Sequence, residues 1–164
     1  MQKQLCDNLY SSYSLCGTYC IETNTKRIEG ELELLRSDIT KISFLSPDEY
    51  SSISISSDYS GKSDIISFEF SGIPADVPKS IASSLSLMLS LFSDSIPSAV
   101  SALEGDAFSV SEEDEGGTVQ FSQGDISYSF AFSADTGIPL SLSGDDGKTS
   151  VTVYVKEFEK NTTK

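Results

Sequence analysis

The chain has 164 residues, 11 basic against 25 acidic, a net charge of −14 and no histidine or tryptophan, and about a fifth of it is serine. A surface this acidic repels phosphate backbones and anionic lipid head groups, which argues against nucleic-acid partners and electrostatic membrane docking. Without histidine there is no Ser-His-Asp triad, no Cys-His pair and no histidine-ligated metal. The length predicts one domain over 1–164, able to bury roughly two thirds of its unfolded surface without disulfides or a metal.

At the start, "QKQLCDNLYSSY" places Leu5 and Leu9 at helical spacing, which predicts a short helix. The same stretch is too polar for the apolar core of a signal peptide, and neither Leu5-Cys6 nor Leu15-Cys16 has the Leu-x-small-Cys context of an acylation site. The expectation is that signal and anchor belong to a preceding segment. Cys6, Cys16 and Cys20 form no metal pattern. Cys16 and Cys20, four apart in a strand, stand about 13 Å apart on one face, too far to bridge. Cys6 could reach either of them only if the first segment folds back, and three unpaired, partly buried thiols are the preferred reading.

From residue 15 onward the pattern has period two. Leu15, Gly17, Tyr19 and Ile21 share one face; Ile28, Gly30, Leu32 and Leu34 oppose three glutamates; Ile42 and Phe44 follow. Ile53 and Ile55 alternate with serines, then Ile66, Phe68 and Phe70. After an interruption come Phe108 and Val110, Val119 and Phe121, and Ile126, Tyr128, Phe130 and Phe132. Ile138, Leu140 and Leu142, and finally Val151, Val153 and Val155, complete about ten strands. Each has one apolar and one polar face, and the connections are short, glycine- and aspartate-bearing turns such as "SQGD" and "SGDDGK". That combination predicts an antiparallel meander, not a parallel sheet buried on both sides.

The interruption, about 75–104, predicts a helical insertion. Asp76 is placed to cap a helix that takes Pro78 in its first turn, and Ile81, Leu85, Met88, Leu89 and Phe92 follow at helical spacing. Ser95-Ile96-Pro97 reads as a stop and restart, with Ala99, Val100 and Leu103 on a second short helix ending at Gly105. Alone such helices are marginal, so they must pack on the apolar side of the sheet. A sheet of this many strands curls. The predicted class is therefore α+β: a curled antiparallel half-barrel whose concave apolar face is covered by the insertion.

Few residues point to chemistry. Glu112 to Glu115 and the Asp145-Asp146 pair sit at hairpin tips, where carboxylates are solvated and lack the alternating ligand order of a calcium loop. No catalytic residues, metal ligands or cofactor are expected. The candidate site is the apolar interior: Leu85, Met88, Leu89 and Phe92 from the helix, and Phe68, Phe70, Phe130 and Phe132 from the strands. The alternative is that these residues form a filled core.

The stretch "ADTGIPLSLSGDDGKTSVTVYVKEFEKN", residues 134–161, resembles the C-terminal signature of the lipoprotein-carrier superfamily of LolA-, LppX- and RseB-like proteins. There an Asp-x-x-Thr-Gly-x-Pro-Leu turn opens a strand, and a last strand ends in a Phe-acidic-Asn-like stretch. The order of meander, helical insertion and second meander is also similar. The resemblance implies an unclosed half-barrel with a helical lid over an apolar cavity, acting outside the cytoplasm on lipids, acyl chains or lipidated proteins. Of the basic residues usual near the family's first strands, this chain has Arg36. Its acidity and serine content fit a surface-tethered lipoprotein that binds a hydrophobic small molecule or lipid, or contacts another cell-envelope protein. The rival reading is a protein-interaction module with a solid core.

Overall fold

The computed structural model describes residues 2–37, 39–58, 65–76, 78–93, 95–103, 108–110 and 116–160. Eleven antiparallel strands form one open sheet: β1 (Tyr13–Thr23), β2 (Arg27–Arg36), β3 (Ile39–Phe44), β4 (Ile53–Asp58), β5 (Ile65–Phe70), β6 (Ile73–Ala75), β7 (Phe108–Val110), β8 (Gly116–Gln123), β9 (Ile126–Ser133), β10 (Pro139–Asp145) and β11 (Thr149–Lys160). Their order is β6-β5-β4-β3-β2-β1-β11-β10-β9-β8-β7. Every neighbouring pair but one is consecutive in sequence. The exception joins the first strand to the last, so two meanders meet along the two longest strands.

That joint requires Gly17. The β1–β11 register slips between Cys16 and Gly17, opposite Glu157 and Val155, leaving Lys156 as the extra residue of a bulge. A Cβ on Gly17 would stand 2.0 Å from the carbonyl oxygen of Tyr154. Beyond the slip the inward face changes parity, so Phe158 pairs with Leu15 and its ring lies 4.8 Å from that of Tyr13.

Three helices occupy the inner face: α1 (Gln2–Tyr10), α2 (Lys79–Ser90) and α3 (Ser95–Ser101). They bury Leu5 and Leu9, then Leu85, Leu87, Met88 and Leu89, then Ile96 and Val100, in one core with the inward residues of the strands. Each such side chain contributes about 1.5–3 kcal/mol relative to exposure. The signature turn of β9–β10 positions α1. Gly137 has φ +70°, the left-handed conformation its place requires, and a Cβ there would stand 2.6 Å from the backbone of Gln4. Asn8, buried, donates from Nδ2 to the Thr136 carbonyl at 3.1 Å.

Several expectations are corrected. Asp76 does not cap α2: Pro78 holds the N-cap position, with no side-chain cap bond, and the helix begins at Lys79. The stop and restart before Pro97 is as expected: α2 ends at Ser90 and α3 begins at Ser95, with Pro97 inside its first turn, where its missing N–H costs nothing. The "GIPA" stretch, for which no strand was expected, holds the short strand β6, entered through a two-residue turn with Ser71 at φ 53° and Gly72 at φ 77°. Leu140 faces outward, 47% exposed, because the β9–β10 register shifts between Pro139 and Ser141 and reverses the alternation. The turns expected at 56–64 and 112–118 fall mostly outside the described residues, as do the acidic run 112–115 and Gly105.

Candidate functional site

The eight interior candidates do not form one site. Met88, Phe130 and Phe132 have 0% exposure, which leaves them no surface toward solvent or toward any void that would admit a water. Leu89, Phe92 and Phe68 are also buried. Phe70 departs from the expectation: it is 51% exposed, at the end of β5, where it pairs with Ile73 of the edge strand β6. Of the eight, Leu85 lines the cavity described below.

The centre is filled because α2 approaches β9 and β10 closely. Gly144 on β10 offers no side chain, and a Cβ there would be 3.2 Å from both Leu87 and Leu91. On β9 the Tyr128 hydroxyl donates to Ser90 Oγ at 3.0 Å, and Ser90 Oγ donates to the Leu87 carbonyl at 2.6 Å, tying the last turn of the helix to the sheet. Phe121 stacks on Tyr128 at 5.1 Å and meets Phe130 edge-on at 5.3 Å, completing an aromatic cluster.

The cavity lies on the other side of α2, over the ends of β1, β2 and β3, with a volume of ≈ 190 Å³. Its floor is Tyr19 and Ile21 of β1, Ile28 of β2 and Phe44 of β3. Ile81, Ser84 and Leu85, at positions i, i+3 and i+4, form its roof from one face of α2. Thr23, Thr25 and Lys26, at the β1–β2 turn, form the rim, and Thr25 and Lys26 are exposed.

A returning loop builds the remaining wall. The chain leaving β3 crosses β2 at Gly30, where a Cβ would be 2.0 Å from the Ser46 carbonyl oxygen. That carbonyl accepts from the Tyr19 hydroxyl at 2.8 Å, and the Glu31 N–H donates to Ser46 Oγ at 2.8 Å. The loop then presents Tyr50, whose ring lies 6.4 Å from Phe44, itself edge-on to Tyr19 at 5.1 Å. Burial pushes the Tyr19 hydroxyl well above the ordinary tyrosine range, with Tyr50 adding to it, and burial raises Tyr50 as well. Both are neutral donors at physiological pH.

Arg36 is buried at the far end of β2, 5% exposed, with its guanidinium carbon 5.8 Å from the centre of the Tyr13 ring. Nε donates to the Phe92 carbonyl at 3.1 Å and Nη1 to the Ser11 carbonyl at 3.0 Å. One cation thus satisfies carbonyls just beyond the C-terminal ends of α1 and α2, where cations are favoured.

The remaining reactive groups have structural roles or are unreactive. In the β10–β11 turn, Asp145 Oδ1 accepts from the Gly147 N–H at 2.7 Å, and Asp146 Oδ1 accepts from Lys148 and Thr149 at 2.9 and 2.7 Å. Those backbone donors lower the Asp146 carboxyl below its ordinary value. All three cysteines are free thiols, Cys6 in the core and Cys16 and Cys20 half-buried on the outer face. Each is raised by burial first, with carboxylates adding to it (Asp7 beside Cys6, Glu33 and Glu157 beside Cys16); at Cys20, Arg27 opposes the shift. Among the described residues, no three His, Cys, Asp or Glu side chains converge as a metal would require, and no helix is long and apolar enough to cross a membrane.

With the inner cavity and the open sheet described, the architecture is an open antiparallel half-barrel: two meanders joined through their first and last strands, helices on the concave face and a Thr-Gly-x-Pro turn opening β10. The chain is similar to an uncharacterized conserved protein from Thermus thermophilus, with 12% identity, TM-score 0.50 and coverage of 99% of this chain and 86% of that one. It is also similar to the LolA superfamily protein NE2245 from Nitrosomonas europaea, at 5% identity, TM-score 0.47 and coverage of 99% and 93%. The Mycobacterium tuberculosis lipoprotein LppX aligns at 12% identity, TM-score 0.44 and coverage of 98% and 94%. At these identities the likeness is one of fold. No protein-family model and no curated protein matches the sequence.

Sequence reasoning named Tyr19, Ile21, Ile28, Phe44 and Ile81 as inward-facing but assigned them no site, and it passed over Tyr50 and Lys26. The one available signal was position. These residues cluster at the β1–β2 turn end of their strands and in the first turn of α2.

Proposed function

We propose that this chain is a non-enzymatic, extracytoplasmic lipoprotein domain that binds a small hydrophobic ligand, such as an acyl chain, inside its half-barrel. The observation that carries the reading is the ≈ 190 Å³ cavity between α2 and the ends of β1–β3, walled by Tyr19, Ile21, Phe44, Tyr50 and Leu85. An apolar cavity of about 150 Å³ holds one benzene molecule, so this one matches a single ring or a short acyl tail. It has no room for the several chains of a fully lipidated protein. Native mass spectrometry of protein purified without detergent, followed by titration with acyl probes of graded length, tests it. Adducts and saturable binding are expected. Bare protein that takes up none of the probes would contradict the reading.

A second reading, a cell-surface interaction module, is favoured by the filled centre around Met88, Phe130 and Phe132 and by the exposed Phe70 and Ile73 at the β5–β6 edge. It predicts no acyl binding and a partner whose capture is lost in a Phe70→Ser/Ile73→Ser variant.

A further inference from the structure

We propose, resting on the cavity reading above, that the ligand is a single-tailed organic anion: a carboxylate whose short apolar tail enters between Ile21 and Leu85 and whose head group stays at the mouth against Lys26. The charge distribution carries this. The chain has 25 acidic and 11 basic residues, and other hollows of its surface carry carboxylates: Asp145 in one, Glu29 and Glu31 in another and Glu33 in a third. Among the described residues lining this cavity, the only charged side chain is Lys26.

Glu49 stands beside the wall residue Tyr50 without lining the cavity, and the acidic residues flanking the β1–β2 turn lie on the opposite face of the sheet. Glu22 and Glu29 alternate with Ile21 and Ile28, so they project outward while the isoleucines line the cavity. Both are paired with Arg27, at 3.7 and 2.6 Å. Lys26 makes no ion pair among the described residues, and its ammonium is available at the rim. Its backbone is held: the Lys26 N–H donates to Thr23 Oγ1 at 3.1 Å and its carbonyl accepts from the Thr23 N–H at 2.8 Å. The turn therefore fixes where the side chain starts.

Inside, the site changes character within one or two residues. Beyond Thr23 and Thr25 the surfaces are Ile21, Ile28, Tyr50 and Leu85, and the Tyr19 hydroxyl is already donating to Ser46. A carboxylate drawn inward would lose its water and the ammonium and meet only the neutral hydroxyls of Ser84 and Tyr50, so it remains at the rim. A carboxylate at the rim gains a charge-assisted hydrogen bond, and the volume limits its tail to about six to eight carbons or one ring.

Titration calorimetry with octanoate, 1-octanol and octylammonium tests the assignment, since all three share one tail. Octanoate is expected to bind tightest, about three- to tenfold above the alcohol, with an advantage that shrinks as salt rises. Lys26→Gln should remove that advantage while leaving alcohol binding unchanged, and Lys26→Glu should turn the preference toward the amine. Lys26 is exposed, so neither variant disturbs the core. Octanol or octylammonium binding as tightly as octanoate would overturn the anion assignment and leave the cavity reading standing. No binding by any of the three would overturn both.

Discussion

Helix α2 lies across two kinds of floor. Over β9 and β10 it meets Gly144 and a bonded Tyr128, and Leu87, Met88 and Leu91 close the space completely. Over β1–β3 its first turns meet isoleucines and aromatic rings, with the loop at Ser46 crossing the sheet where Gly30 allows it, and a cavity is left. The same helix, with the same kind of side chain, thus gives a solid core on one side and a binding-sized void on the other. What decides between them is the backbone each face meets, not hydrophobicity.

The contrast can be broken first from the packed side. Phe130→Ala should lose about 3–5 kcal/mol in denaturant unfolding, because the filled centre cannot collapse around the deletion. It should leave acyl binding intact in the fraction that folds. Arg36→Met should cost about 3 kcal/mol by leaving the Phe92 and Ser11 carbonyls buried without a donor, with faster hydrogen exchange at the ends of α1 and α2 as the local readout.

Gly144→Ala sharpens the comparison at intermediate size. Its new methyl, 3.2 Å from Leu87 and Leu91, should cost about 1–3 kcal/mol as α2 is pushed outward, and the helix shift should alter the cavity as well. Tyr19→Phe gives the smallest effect, about 1 kcal/mol for the lost bond to Ser46. It also has a pH signature. The folded-state value of Tyr19 is raised above the ordinary 10.0, so the folded protein holds a proton that the unfolded chain releases. Its stabilisation is complete below pH 10.0 and falls as pH rises beyond it, and Tyr19→Phe should make that alkaline decline shallower.

Most of the fold was legible as period-two alternation. It located ten of the eleven strands and most of the core residues that Leu15, Tyr19, Phe68 and Phe130 represent. The misreadings are those that alternation cannot detect. Leu140 sits at a register slip, and Phe70 lies at the end of β5 against the edge strand; each keeps the right parity in sequence and faces the wrong environment. The strand β6 is three residues with a proline, below any periodic signal. The candidate site was less legible. Leu85 was found because it lies on the apolar stripe of α2, but the cavity depends on contacts between distant segments: Ser46 over Gly30, and the first strand beside the last. Tyr50 and Lys26 sit in connections, where no period exists to single them out.

The proposed function places the ligand in the void and not in the filled centre. Methyl-resolved NMR during titration with octanoate addresses both regions in one spectrum. Saturable shifts are expected at the methyls of Ile21, Ile28, Ile81 and Leu85, with Met88, Leu91 and Val153 unmoved. Shifts centred on Met88 and Val153, or no shift at the cavity methyls at saturating octanoate, would contradict it.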